Sequence, residues 1–174
     1  ESHLSENVIV TSNTSGLLLA DLTSSMSDSL KKRFFITHFF NPPRYMKLVE
    51  IIPSTKTDVS LIKPIADFME NTLGKGVVYA KDTPNFIANR IGVYGMMATL
   101  EAARKMKLSI EDVDALTGTL IGRPKSATFR TADVVGLDTM CFVANTAYEK
   151  CLSDPEREKF KIPDYLQKMI DKEW

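Results

Sequence analysis

Several features that would assign a protein directly to a function class are scarce in this sequence. Its 174 residues include only two cysteines, two histidines and eight glycines. The 22 basic and 22 acidic residues give a net charge of zero, so nothing indicates binding to nucleic acid or to an anionic membrane. No apolar run approaches the roughly 20 residues of a membrane-spanning helix, and we expect no signal peptide. These absences exclude a membrane span and predict a cytoplasmic protein.

The two cysteines, Cys141 and Cys151, lie ten residues apart in one predicted helix. This spacing corresponds to about 15 Å of helical rise, which is too far for a disulfide bond. We therefore expect reduced thiols, as is usual in a reducing compartment. The histidines and cysteines also lack the spacing of metal ligands, so we predict no metal site.

The few glycines form no phosphate-binding loop. Gly74 and Gly76 begin like a dinucleotide fingerprint, but the third glycine is missing and the segment enters a predicted strand rather than leaving one for a helix. The Gly-x-Ser-x-Gly motif of serine hydrolases is absent as well. The sequence therefore contains no complete nucleotide-binding loop.

What the sequence does contain is a change of pattern near residue 82. Before it, short apolar runs predict buried strands over 8–11, 34–40, 48–53 and 76–80. A short helix followed by a serine-rich loop is predicted within 17–30, and an amphipathic helix over 57–73 that Pro64 kinks or shortens and Gly74 ends. After it, helical spacing predicts helices from Pro84 to about 106, with Asp82 and Thr83 at its start, and over 109–119, 133–151 and 163–173. The fold class is therefore α/β followed by all-α, with domains over 1–82 and 83–174.

A histidine and a glutamate fall on two neighbouring predicted strands. His38 lies near the end of an aromatic-rich apolar run, and Glu50 lies inside the next apolar run. A buried carboxylate needs a partner; imidazole exchanges protons near neutrality, and a carboxylate on its far nitrogen fixes the tautomer. The sequence thus predicts a His–Glu general-base pair. The alternatives are a structural core histidine, and a salt bridge from Glu50 to Arg44 or Lys47.

Two further polar features are candidates for ligand contacts. The turn Ser12-Asn13-Thr14-Ser15 follows the first predicted strand, at the carboxyl end where open α/β sheets bind ligands. Asn89 is predicted to lie one and a half turns into a helix, on an apolar face, where an amide needs a partner. The alternatives are ordinary turn chemistry for the first feature and a helix-boundary hydrogen bond for the second.

The segment from His38 to Glu50, which follows the pattern H-F-F-N-P-x-x-x-M-x-L-V-E, resembles the signature of the 3-hydroxyacyl-CoA dehydrogenases. Two more matches flank it in the same order, Ser12–Ser15 before it and Lys81–Arg90 after it, so the resemblance covers residues from about 8 to 140. It implies an enzyme of fatty-acid β-oxidation that converts an L-3-hydroxyacyl-CoA to the 3-ketoacyl-CoA with NAD as the cofactor.

The resemblance also implies roles for single residues. His38 is the general base, and Glu50 supports its imidazolium form. Ser15 contacts both the nicotinamide end of NAD and the 3-oxygen of the substrate, Asn41 contacts the cofactor near the nicotinamide ribose, and Asn89 contacts the substrate close to the reacting hydroxyl.

Members of that family carry their glycine-rich turn near the amino terminus, before the part that this chain matches. The resemblance therefore implies that residues 1–82 are the C-terminal strands of a truncated Rossmann-type NAD-binding domain, and that residues 83–174 are a helical domain for dimerisation and substrate contact. We expect the isolated chain to be inactive. The alternatives are a non-catalytic fragment and a structural or interaction protein of the same family.

One segment departs from the family pattern. Many relatives have Gly-x-Pro-Met-Gly-Pro-Phe before the Gly-Leu-Asp that opens the next helix. Here the segment from Gly122 to Asp138 matches this pattern at its two ends, but the residues between them are different. This version is similar to the dehydrogenases that are fused to an enoyl-CoA hydratase domain. It implies a fused or associated hydratase, in addition to an acyl-CoA substrate and a second copy bound through the helical half.

Overall fold

The structure, a computed structural model, describes residues 3–172. The chain forms two compact units, Glu1–Phe86 and Ile87–Trp174. The first unit holds a four-stranded sheet, and the second, in its described part, is helical. Within residues 3–172 no helix is both long and apolar enough to cross a membrane. The predicted fold class, α/β followed by all-α, is confirmed.

The sheet of the first unit has its strands in the order of the chain. They are β1 (Val10–Ser12), β2 (Phe34–Phe39), β3 (Leu48–Ile52) and β4 (Gly76–Tyr79). β1 and β2 are parallel, β2 and β3 are antiparallel, and β3 and β4 are parallel. The carboxyl ends of β1 and β2 therefore lie at one end of the sheet, and those of β3 and β4 lie at the other.

The two central strands, β2 and β3, are buried because apolar side chains cover both faces of the sheet. One face packs in a cluster of Leu19, Phe34, Ile36, Ile52, Ala80 and Phe86. The other packs in a cluster of Phe35, Val49, Ile51, Ile62, Ala66 and Met69. Strands covered on both faces need near-continuous apolar runs, which explains why these two strands were predictable almost to the residue.

The first strand and the helices after it differ from the prediction. β1 begins at Val10 rather than at residue 8, because the carbonyl of Val8 accepts a 2.7 Å hydrogen bond from Nη1 of the buried Arg33 instead of joining the sheet. The strand is also only partly buried, not covered on both faces. The segment before β2 contains two helices, α1 (Leu19–Leu22) and α2 (Asp28–Lys32). Residue Ser27 of the predicted loop caps α2, its Oγ accepting from the Leu30 amide at 3.2 Å.

The amphipathic helix before β4 is shorter than predicted. A 3₁₀ turn (Val59–Leu61) precedes α3 (Ile62–Asn71). Pro64 is the third residue of α3, where a missing N–H removes no intrahelical hydrogen bond, so the proline shortens the start of the helix and does not kink it. Gly74 follows with φ of 65°, the left-handed conformation of a glycine just past a helix end.

The first helix of the second unit, α4 (Ala88–Met106), starts later than predicted. Asn85 and Phe86 have φ of 62° and 49°, and a right-handed helix cannot include such residues. The prediction that Asp82 and Thr83 start this helix is therefore wrong. Asn89 is the second residue of α4, not one and a half turns into it.

The other helices of the second unit are α5 (Ile110–Thr117), α6 (Phe129–Val135), α7 (Leu137–Lys150) and α8 (Asp164–Asp171). Ser109 caps α5 through a reciprocal capping box with Asp112. The predicted helix over 133–151 is divided between α6 and α7, because Gly136 has φ of 93° and interrupts the helical backbone. The predicted end of the last helix, residue 173, lies outside the described residues.

An apolar core holds the helices of the second unit together. Its most buried large side chains, Phe160 and Leu166, are 1% and 2% exposed. Cys141 in α7 and Cys151 just after it are buried free thiols, and burial raises the pKa of the Cys141 thiol.

Candidate active site

A buried pair of ionisable side chains joins the two central strands of the first unit. His38 and Glu50 lie directly opposite each other in the antiparallel register of β2 and β3. The Nδ1 atom of His38 lies 2.8 Å from Oε2 of Glu50. The side chains are 5% and 1% exposed. Antiparallel neighbours point to the same face of a sheet, so strand register alone brings the two side chains together.

Aromatic rings surround the imidazole of His38. The ring of Phe40 lies 4.4 Å away between centroids, and that of Phe86 lies 5.6 Å away in an edge arrangement. Such an apolar environment strengthens the attraction between imidazolium and carboxylate, and makes either charge costly to bury alone. Arg44 and Lys47, the other predicted partners of Glu50, are exposed on the loop between the two strands. The geometry favours the His–Glu interpretation over those salt bridges.

The polar turn after β1 lies beside the end of β2. Oδ1 of Asn13 accepts a hydrogen bond from the Phe39 amide at 2.9 Å, which joins the turn to the residue after His38. Oγ of Ser12 accepts from the Thr14 amide at 3.3 Å. Ser15 is exposed in the segment between β1 and α1. The carboxyl ends of β1 and β2 thus bring the turn and the histidine to the same end of the sheet.

The loop from β2 to β3 carries Asn41, another predicted cofactor contact. This residue is exposed, and its peptide bond to Pro42 is cis. Nζ of Lys75 donates to the carbonyls of Pro43 and Met46 within the same loop, the second at 2.7 Å. Lys75, which precedes β4, therefore stabilises the loop that carries Asn41.

The remaining predicted site residue, Asn89, is half-buried and belongs to the second unit. Its neighbour Arg90 forms an ion pair with Asp154 of the same unit, and burial is not complete for either partner. That pair explains the role of Arg90 without any ligand. The catalytic and binding roles of His38, Glu50, Ser15, Asn41 and Asn89 stay predictions.

Two residues that sequence reasoning missed fix this part of the fold. Asn13 was treated only as part of a turn motif, although an asparagine after a strand is a frequent side-chain acceptor for a neighbouring backbone. Asp82 was assigned to the wrong helix: its carboxylate accepts from the amides of Leu19 and Ala20 at the start of α1. Nothing local to Asp82 reveals partners more than 60 residues upstream.

Within the part of the chain that the structure describes, no group of three or more histidine, cysteine, aspartate or glutamate side chains could hold a metal ion. The chemistry available at the first unit is therefore that of a histidine–carboxylate pair beside exposed hydroxyl and amide groups. Such a set can accept a proton and orient a neighbouring oxygen atom.

Comparison with protein families gives two matches that follow one another along the chain. Residues 1–83 match the model for "3-hydroxyacyl-CoA dehydrogenase, NAD binding domain", and residues 86–174 match the model for "3-hydroxyacyl-CoA dehydrogenase, C-terminal domain".

Individual proteins agree with these matches. The chain is 52% identical over its whole length to a probable 3-hydroxyacyl-CoA dehydrogenase of Bacillus subtilis (strain 168), of which it covers 22%. It is 42% identical over 98% of its length to a probable 3-hydroxyacyl-CoA dehydrogenase of Deinococcus radiodurans, of which it covers 48%. The crystal structure of (S)-3-hydroxybutyryl-CoA dehydrogenase from Ralstonia eutropha matches 98% of the chain with a TM-score of 0.82 and 29% identity, and the match covers 57% of that protein. The chain thus spans between about a fifth and about a half of the curated relatives it matches.

Proposed function

The chain belongs to the 3-hydroxyacyl-CoA dehydrogenase family, and on that premise we propose that the protein containing it oxidises an L-3-hydroxyacyl-CoA to the 3-ketoacyl-CoA in an NAD-dependent reaction of fatty-acid oxidation. The observation that carries the proposal is the 2.8 Å contact between His38, near the carboxyl end of β2, and Glu50, in the middle of β3, both of them buried. A buried ionisable pair is weak evidence for a purely structural role, since apolar residues of similar volume are often equally or more stabilising there.

His38 acts in this proposal as the general base. Because Glu50 occupies Nδ1, Nε2 is the ring nitrogen left to take the proton of the 3-hydroxyl as hydride leaves C3. Glu50 holds the ring in that tautomer and stabilises the imidazolium that forms. Phe40 and Phe86 limit water around the ring, which strengthens the support from the carboxylate.

Ser15 and Asn89 are proposed to orient the 3-oxygen by donating hydrogen bonds to it, so that the proton and the hydride leave from a fixed geometry. Ser15 offers a hydroxyl at the carboxyl end of β1. Asn89 offers an amide in the first turn of α4.

The residues at the carboxyl ends of β1 and β2 fit one part of the cofactor. Ser15 and Asn41 are exposed polar side chains there, suited to the amide and ribose groups of the nicotinamide half. NAD, when bound, supplies the hydride acceptor. The pyrophosphate normally rests on a glycine-rich turn at a helix start, and the eight glycines of the chain provide no such turn. We therefore propose that this chain alone binds NAD too weakly for calorimetry to detect; micromolar binding would contradict this.

We also propose a homodimer formed through the second unit, and a fused or associated enoyl-CoA hydratase. The first is supported by apolar side chains that the second unit leaves exposed, among them Leu120, Val134 and Phe142. The second is supported by the 36% identity, over 98% of the chain, to a putative fatty acid oxidation complex trifunctional enzyme of Rickettsia felis, of which the chain covers 24%. Sedimentation of the chain as a monomer at micromolar concentration would count against the dimer.

The function is tested on the full-length protein that contains this chain. We expect NADH to form, measured by its absorbance, when the protein is mixed with NAD and an L-3-hydroxyacyl-CoA. The D enantiomer is the matched control and should give no NADH. Absence of turnover with L substrates of short, medium and long acyl chains would reject the proposed activity.

A further inference from the structure

The carboxylate of Asp82 joins the segment after β4 to the segment after β1. Its Oδ1 accepts from the Leu19 amide at 2.8 Å, and its Oδ2 accepts from the Ala20 amide at 3.1 Å. Both amides open α1, a helix of a single turn that follows the polar turn containing Ser15. The contact spans more than 60 residues of sequence.

The helix α1 has no cap of its own. The residue in the capping position is Leu18, which forms no side-chain hydrogen bond to the helix, because its side chain has no acceptor. Helices usually satisfy their first amides with a serine, threonine, aspartate or asparagine at that position. Here the acceptor is the carboxylate of Asp82, in the segment after β4. Asp82 therefore sets the place where α1 starts.

The turn is also fixed at its other end. Asn13 accepts from the Phe39 amide at 2.9 Å, one residue after His38. The segment 13–18 is thus held between two side-chain contacts, at Asn13 on the side of β2 and at Asp82 on the side of β4. Ser15 lies between them.

Asp82 also leads into the residues that cover the histidine. The Phe86 amide donates to the carbonyl of Thr83 at 3.0 Å, and this tight turn places the Phe86 ring 5.6 Å from the imidazole of His38. The Asp82 carboxylate therefore connects the segment that carries Ser15 to the segment that carries Phe86, the ring beside His38.

We propose that Asp82 is a positioning residue of the reaction: through the Leu19 and Ala20 amides it sets the place of Ser15 relative to His38. The inference rests on the proposed function, since it matters for catalysis only if Ser15 and His38 act on the same substrate. Asp82 touches neither substrate nor cofactor in this account. A misplacement of about 1 Å at a reacting group can lower a rate about 100-fold.

The test compares four variants of the full-length protein with the wild type. Asp82→Ala removes both acceptors, and Asp82→Asn keeps one carboxamide oxygen. The double variant Leu18→Ser with Asp82→Ala gives α1 a cap of its own but no link to β4. Asp21→Ala is the matched control, because Asp21 is an exposed aspartate within α1. The measurements are kcat, the KM for the acyl-CoA, and hydrogen exchange of peptides that contain Leu19 and Ala20.

For Asp82→Ala we expect kcat to fall about 10- to 100-fold, with a smaller change in KM and faster exchange at α1. Asp82→Asn should recover part of kcat, and Asp21→Ala should match the wild type. The double variant decides between positioning and simple capping: protection of α1 restored without kcat supports the proposal, whereas recovery of both overturns it.

Wild-type kcat in Asp82→Ala, with exchange accelerated, would also overturn the proposal. If Asp82→Ala fails to fold, Asp82→Asn takes its place: exchange accelerated with reduced kcat supports positioning, and accelerated exchange with wild-type kcat overturns it. An inactive wild-type protein would reject the proposed function instead, and exchange at Leu19 and Ala20 would still report whether the contact exists.

Discussion

The first unit buries Arg33, His38 and Glu50, whereas every charged side chain of the second unit that the structure describes lies at least partly at the surface. One ion pair of the second unit, between Lys105 and Glu101, is exposed on both sides. Its core cluster consists of apolar residues. Two units of almost equal length thus differ in whether they bury charged side chains.

We relate the buried histidine and glutamate of the first unit to the reaction, and the apolar core of the second unit to stability. A buried histidine and carboxylate need each other, since either charge alone is costly in an apolar environment. The second unit carries no such requirement in its described residues and relies on apolar burial. Substitutions of His38 and Glu50 should therefore affect activity more than stability, and substitutions in the core of the second unit should do the reverse.

The largest expected effect is on turnover, from His38→Gln in the full-length protein. Loss of the general base should lower kcat by about 10² to 10⁴ and leave KM for the acyl-CoA nearly unchanged. His3→Gln makes the same change at the other histidine, which is exposed, and serves as the control. Equal kcat in the two variants would remove His38 from the mechanism.

The next effect is on stability, from Phe160→Ala in the second unit. The Phe160 ring is 1% exposed and packs edge-on against Tyr94 with centroids 5.9 Å apart. Its removal should lower the free energy of unfolding by about 3–5 kcal/mol, measured by denaturant titration. Phe142→Ala, at a largely exposed phenylalanine of α7, should change it far less. Similar losses in both would mean that the core of this unit lies elsewhere.

Glu50→Gln should affect catalytic activity and stability differently. The amide keeps the shape of the side chain but carries no charge, so we expect kcat to fall about 10- to 100-fold, as for other orienting partners of functional histidines. The free energy of unfolding should change less than the activity, because the amide oxygen has the same shape and can still accept a hydrogen bond from Nδ1 of His38. A fully active variant would show that the carboxylate does not support catalysis.

The smallest effect concerns Glu101, which accepts from Lys105 at 2.6 Å and from Lys159 at 2.7 Å. The Lys105 hydrogen bond, followed by that of Lys159, lowers the pKa of Glu101 from 4.5 to about 2. A lowered pKa stabilises the fold above pH 4.5, and this contribution is lost as the pH falls towards about 2. Glu101→Gln should therefore destabilise slightly at neutral pH, since solvent screens the pairs, and not at all near pH 2.

The pH dependence of Glu101→Gln is read from thermal unfolding, with Glu111→Gln at an exposed glutamate of α5 as the control. A difference from the wild type that persists unchanged at low pH would mean that the effect does not arise from ionisation of Glu101.

Much of the fold was predictable where local pattern and burial agree. The apolar runs of β2 and β3 are local signals, and the structure follows them. The failures arise where a distant contact or one backbone angle overrides the pattern. Asp82 before Pro84 looks like a helix start, but its carboxylate caps α1 instead. Gly136 divides a continuous helical pattern because of its positive φ.

The candidate site shows the same limit. The pairing of His38 with Glu50 could be predicted because the two residues lie on successive strands and a buried carboxylate needs a partner. The side-chain contacts of Asn13 and Asp82 could not, because they depend on which loops meet at the end of the sheet. The place of Asn89 in α4 was wrong for the same reason that the helix start was wrong.

The contact between His38 and Glu50 joins residues 12 apart in the chain, and that between Asp82 and Leu19 joins residues 63 apart. The first contact is buried between the two central strands, whereas the hydrogen bonds of Asp82 to α1 are part-buried at Leu19 and exposed at Ala20, and exposed contacts open more often than those of core strands. We therefore expect the two contacts to differ in lifetime: the chain should open at the Leu19 amide many times, on the timescale of hydrogen exchange, for each time that the strands carrying His38 and Glu50 separate. Ser15 would then belong to the part of the fold that fluctuates, and the histidine to the part that does not.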